Sequence, residues 1–94
     1  MEKQEVMKDD NVLIFKPLAV TIFNVKQFQE ALLPLLDGST SININLCQTE
    51  ELDISGLQLI KSLQHSAEII GIDIKIGDIS EQVSSKFKLL GVAL

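Results

Sequence analysis

Asp53, Ser55 and Gly56 fall within one short run, Asp53-Ile54-Ser55-Gly56-Leu57, which puts a carboxylate, a hydroxyl and an unhindered backbone side by side. A serine hydroxyl at the start of a helix can do two things. It can accept a hydrogen bond from an orphan N–H group of the first turn, which is worth about 1 kcal/mol. It can also carry a phosphate, which the same N–H groups and the helix dipole favour. Asp53 can complement that dipole as well, and Glu50 and Glu51 stand just upstream. A phosphate adds about −1.5 to −2 charges at neutral pH. The corner would then turn strongly anionic, and a partner packed against the unmodified form would be repelled.

Other chemistry is sparse. His65 is the only histidine, and a lone histidine makes neither a metal site nor a triad, so it reads as a surface or boundary residue. Cys47 is the only cysteine; it forms no intrachain disulfide and reads as a small buried hydrophobe. Glu50, Glu51 and Asp53 lack the ligand number and loop spacing of an oxygen-ligand cation site, so a solvated acidic loop is expected. There is no G-x-G-x-x-G, no G-x-x-x-x-G-K-[ST] and no G-x-S-x-G. No catalytic constellation, cofactor or metal is expected.

The elements that position the corner follow from periodicity. Ser41 to Leu46 alternates polar and apolar residues, as a half-buried strand does. Leu57, Ile60, Leu63, Ala67 and Ile70 recur at helical steps, predicting a helix from about Ser55 to Ile70 that Gly71 terminates. Ser55-x-x-Gln58 has the form of a capping box. Upstream, Asn11–Phe15 and Leu18–Thr21 read as two strands joined at Lys16-Pro17 and paired as a hairpin. Asn24 and Gln27 form another capping-box pattern, and Val25, Phe28, Leu32 and Leu35 give that helix a buried stripe. Pro34 predicts a kink or an early stop before Asp37-Gly38. Ile72–Ile76 reads as a strand. Asp78 or Ser80 caps a last helix with Val83, Phe87 and Leu90 on one face and Gly91 at its end. Residues 1–10 are polar and read as a flexible lead-in. The predicted order is β-β-α-β-α-β-α, an α/β fold with a mixed, mostly parallel sheet of four to five strands, an N-terminal hairpin and three to four helices.

The stretch Glu51 to Ile60 resembles the D-[ST]-[SA]-G-L segment of STAS domains, the sulphate-transporter and anti-sigma-factor-antagonist family. Leu18–Leu36 looks like the family's second strand and first helix. Ile72–Leu94 looks like its last parallel strand, final helix and closing L-x-G tail. The resemblance covers residues 11–94, which are expected to form one domain. It implies that Ser55 matches the serine phosphorylated by a partner kinase in the antagonist branch. It also implies that Asp53 shapes the phospho-acceptor loop, and that Glu50, Glu51, Ile54 and Gly56 join Asp53 and Ser55 in partner binding. Ile54 departs from the family, since most relatives carry Ser or Thr there. Gly56 permits either a close approach to a neighbour or plain turn chemistry.

Ninety-four residues make one domain with 46% hydrophobic residues, enough for an aliphatic core. The net charge is −5, from 13 acidic residues against 8 basic ones, and every basic residue is lysine. Nucleic-acid binding needs a basic face to meet phosphates, so that class is excluded, and anionic membrane surfaces are disfavoured for the same reason. The N-terminus has no signal-peptide pattern and no apolar stretch could span a bilayer, so a cytoplasmic setting is expected. The expected function is a non-enzymatic, anti-sigma factor antagonist-like module. It would bind an anti-sigma factor with serine kinase activity and be reset by a phosphatase. One alternative is a non-phosphorylated STAS subunit of a lipid-transport ABC complex or a chemotaxis-linked complex. Another, of a different class, is a small-molecule-binding sensor at the carboxyl ends of parallel strands.

Overall fold

The computed structural model describes residues 5–91. Strand β1 is Val6–Asp9, β2 is Val12–Phe15 and β3 is Ala19–Val20. Helix α1 is Val25–Leu36, followed by β4, Ser41–Leu46, and β5, Glu51–Leu52. Helix α2 is Ile54–Ile70, β6 is Asp73–Ile79 and α3 is Glu81–Leu90. A mixed four-stranded sheet runs in the order β1-β2-β4-β6, with β1 antiparallel to β2 and the other neighbours parallel. Strands β3 and β5 form a separate two-stranded parallel pair.

The central strand shows why this sheet has one core face. Ile42, Ile44 and Leu46 of β4 are buried, while Ser41, Asn43 and Asn45 between them are half-buried on the opposite side. Leu13 and Phe15 of β2 belong to the same cluster, joined by Leu32 and Leu36 of α1, by Ile60, Leu63 and Ala67 of α2, and by Val83 and Phe87 of α3 among others. Each of the larger side chains contributes about 1.5–3 kcal/mol by leaving water. Phe15 and Phe28 meet edge to face with ring centroids 5.0 Å apart. Helix α2 ends as predicted: Gly71 adopts φ 80° and its N–H donates to the Ala67 and Glu68 carbonyls.

The N-terminal hairpin differs from expectation. It joins β1 to β2, not β2 to β3. Asp10 and Asn11 both have positive φ, 50° and 67°, the handedness that a two-residue hairpin turn needs. Val6–Asp9 is therefore a strand and not a frayed lead-in. Glu5 is tied down too: its carbonyl accepts from the Lys16 N–H (2.7 Å) and its carboxylate from the Leu18 N–H (2.7 Å). Residues 1–4 of the expected lead-in, and the closing tail at 92–94, lie outside the described residues.

Helix α1 continues through Pro34 to Leu36, so the early stop does not occur. Cys47 is exposed rather than buried, because it stands one residue past the end of β4. Ser80, not Asp78, caps α3: its Oγ accepts from the Val83 N–H (3.2 Å) and donates to the Thr49 carbonyl (2.6 Å). Among the described residues no helix is long and apolar enough to cross a membrane.

Candidate functional site at the Asp53–Ser55 corner

The corner is assembled by the two short strands. Ala19 and Val20 of β3 lie in register with Glu51 and Leu52 of β5. The ladder is extended by bonds from the Glu50 N–H to the Leu18 carbonyl (2.7 Å) and from the Asp53 N–H to the Val20 carbonyl (3.3 Å). Both strands run in the same direction, and each feeds a helix: β3 leads through residues 21–24 into α1, and β5 leads directly into α2. The two helix starts thus share one end of the molecule.

Asp53 locks the arrangement. It is the N-cap of α2, with extended backbone, and its Oδ1 accepts from the Gly56 N–H (2.9 Å). Its Oδ2 accepts from the Ile22 N–H (2.9 Å), so one carboxylate joins the start of α2 to the loop before α1. Desolvation pushes this carboxyl upward, but backbone hydrogen bonds, led by those from Gly56 and Ile22, outweigh it. The net effect holds the carboxyl below the ordinary value of 3.8. The cap is therefore Asp53, and the Ser55-x-x-Gln58 capping box is not used.

Gly56 is buried, and a Cβ there would fall 2.1 Å from the Val20 carbonyl oxygen. Of its two expected uses, the close approach is the real one, and the neighbour is the β3 backbone of the same chain. The missing side chain of Gly56 lets α2 press onto β3, which brings Ser55 and Ile22 onto one groove of about 360 Å³. Ser55 is half-buried on that groove wall, near Gln58 and Ser62. Ile54 is 51% exposed. Glu50 and Glu51 are exposed and line a second cleft of about 350 Å³, together with Asp53 and Phe23. Lys86 of α3 faces into that cleft. His65 is exposed on α2, away from both linings. Among the described residues no group of His, Cys, Asp and Glu side chains is arranged to hold a metal ion.

Two residues escaped sequence reasoning. Ile22 is 66% exposed and Phe23 is 95% exposed, both in the loop after β3. Asn24, expected to cap α1, makes no side-chain cap bond. It braces this loop instead, with Oδ1 accepting from the Thr21 N–H (2.8 Å) and Nδ2 donating to the Ala19 carbonyl (2.9 Å). The available signal was Val20-Thr21-Ile22-Phe23, where the apolar run outlasts any strand alternation before a strong turn former.

A four-stranded mixed sheet carrying helices, with an acidic strand-to-helix corner that offers a serine, makes this an α/β domain. The family model described as STAS domain matches residues 3–93. The chain belongs to the STAS domain family. Solved structures of other proteins share the fold, among them two named for one role. One is of a Thermotoga maritima protein described as an anti-sigma factor antagonist, with TM-score 0.77 and 22% identity, covering 92% of this chain and 76% of that one. The other is the anti-sigma factor antagonist SpoIIAA in its unphosphorylated form, with TM-score 0.75 and 17% identity, covering 90% of this chain and 76% of that one. No curated protein matches the sequence.

Proposed function

We propose that this chain is an anti-sigma factor antagonist-like module that binds a protein partner through the Asp53–Ser55 corner and is switched by phosphorylation of Ser55. The observation that carries the reading is the division of labour at the start of α2. Asp53 makes the cap bond, so the Ser55 hydroxyl is not required for it, and Ser55 lines an open groove. The partner class comes from the solved structures of similar fold, which are named as anti-sigma factor antagonists.

The switch is electrostatic. A partner kinase would transfer the γ-phosphoryl group of ATP to Ser55 Oγ, with ADP leaving and the hydroxyl proton passing to a base of the kinase. The catalytic machinery and the nucleotide belong to that partner, and a phosphatase reverses the step; this chain itself is not an enzyme. The phosphate would sit one residue before Gly56 and compete with Asp53 for first-turn N–H groups. It would also repel the carboxylates of Asp53, Glu50 and Glu51. A surface that docks on the neutral serine then meets concentrated negative charge and uncovered phosphate oxygens. The setting is cytoplasmic, where such a kinase and ATP are available.

The experiment is calorimetry of Ser55→Ala and Ser55→Asp chains against the purified serine-kinase anti-sigma factors encoded by the same genome. Ser55→Ala should bind as the parent does, and Ser55→Asp should bind at least about tenfold more weakly. Equal affinities would falsify the switch.

A further inference from the structure

Resting on the reading that this corner binds a protein, we propose that Ile22 and Phe23 are the apolar anchor of that interface. The partner would present an apolar socket rimmed by lysine or arginine on the Phe23 side.

Single exposed apolar residues are ordinary on protein surfaces. These two differ in how they are held. Phe23 is 95% exposed and Ile22 is 66% exposed, yet their loop is bonded throughout. The Ile22 N–H donates to Asp53 Oδ2 (2.9 Å), the Phe23 N–H to Thr21 Oγ1 (3.3 Å) and the Thr21 N–H to Asn24 Oδ1 (2.8 Å). The Asn24 and Val25 N–H groups both donate to the Thr21 carbonyl. An apolar ridge fixed before contact loses little conformational freedom on docking, which is the property of a pre-organised anchor.

Charge identifies what fits over it. The ridge divides two clefts. The Phe23-side cleft is lined by Glu50, Glu51 and Asp53 against the single cation Lys86, so its lining is net acidic. On the Ile22 side stand Ser55, Gln58 and Ser62, all uncharged. A complementary surface is therefore basic on one flank and neutral on the other. A lysine or arginine on the basic flank would also meet the exposed Phe23 ring. A second copy of this chain carries net charge −5 and the same acidic flank, so like charge opposes self-docking. An anionic bilayer is opposed on the same ground.

The test places the photo-crosslinker p-benzoylphenylalanine at position 23 and, in a separate chain, at position 58, both expressed full length in the native host. Crosslinked peptides are sequenced by mass spectrometry, and the captured partner is purified for binding measurements. From position 23 the crosslink should reach another protein at an apolar segment carrying lysine or arginine. With that partner, Phe23→Ala should weaken binding about tenfold or more. The double variant Glu50→Gln, Glu51→Gln should slow association and flatten its salt dependence. Leu89→Ala on α3, at an 84% exposed site, should leave affinity unchanged, and the Phe23→Ala chain should melt as the parent does. A crosslink from position 23 only into lipid or a second copy of this chain overturns the proposal. So does a partner indifferent to Phe23→Ala. Capture from position 58 with none from position 23 overturns the anchor and leaves the proposed function standing; capture from neither counts against both.

Discussion

Gly56→Ala sets two opposed effects against each other. At an unhindered helix site, glycine to alanine stabilises by up to about 1 kcal/mol. At Gly56 the added Cβ would lie 2.1 Å from the Val20 carbonyl oxygen, 2.9 Å from its carbon and 3.0 Å from the Val20 Cβ. Ordinary contact begins at 3.4 Å, so α2 and β3 must separate by 3.4 − 2.1 = 1.3 Å or distort. The two closest atoms are backbone, which cannot swing aside. Overpacking of this kind costs about 1–3 kcal/mol. The same displacement strains the bonds from the Asp53 N–H to Val20 and from the Ile22 N–H to Asp53, each worth about 1 kcal/mol. The net loss is about 2–4 kcal/mol, a large part of the ~5–15 kcal/mol that holds a small domain. For a chain of this size that corresponds to a melting temperature lower by roughly 10–30 °C. Thermal unfolding followed by far-ultraviolet circular dichroism measures it, with Gly77→Ala as the control. The nearest atom to a Cβ at Gly77 is the Ile44 carbonyl oxygen at 3.7 Å, an ordinary contact, so that variant should melt near the parent. A Gly56→Ala chain that melts at or above the parent temperature refutes the reasoning.

Asp53→Asn should cost about 1–2 kcal/mol in urea unfolding at neutral pH, because one amide cannot accept from both the Ile22 and Gly56 N–H groups. Its pH signature follows from the lowered folded value. The contribution of Asp53 is fully present above the unfolded value of 3.8 and is lost as pH falls through the lower folded one. Below that window the parent and Asp53→Asn should converge, and a gap that widens on acidification would contradict the assignment. Asn24→Ala removes the brace on the Ile22–Phe23 loop, so amide hydrogen exchange at Thr21 should accelerate while the core of α2 keeps its protection. Cys47 should react with a thiol reagent in the native protein as fast as in denaturant, since it is exposed; strong native-state protection would show otherwise.

Much of this architecture was legible because it is periodic. Strand β4 has the bounds that polar–apolar alternation marks, Ser41–Leu46, and α2 and α3 end at the glycines that can adopt positive φ. What was hidden depends on distant partners. Val6–Asp9 has only two apolar residues, and its role as a strand is set by pairing with β2 across the Asp10-Asn11 turn. Strands β3 and β5 are two residues each, too short to show any period, so the parallel pair that builds the corner was invisible. Asp53 and Ser55 are both competent caps by type. The one used is Asp53, whose second oxygen also accepts from the Ile22 N–H, a partner far away in sequence. Ile22 and Phe23 fell between the predicted strand and the predicted helix and carried no assignment, because apolar character alone does not tell a buried side chain from a presented one.

The most direct measurement is intact-mass and phosphopeptide spectrometry of the protein isolated from its native host across growth and stress conditions. A Ser55 switch predicts a phosphorylated fraction whose added mass maps to Ser55 and changes between conditions. A chain that carries no phosphate at Ser55 under any condition would contradict it.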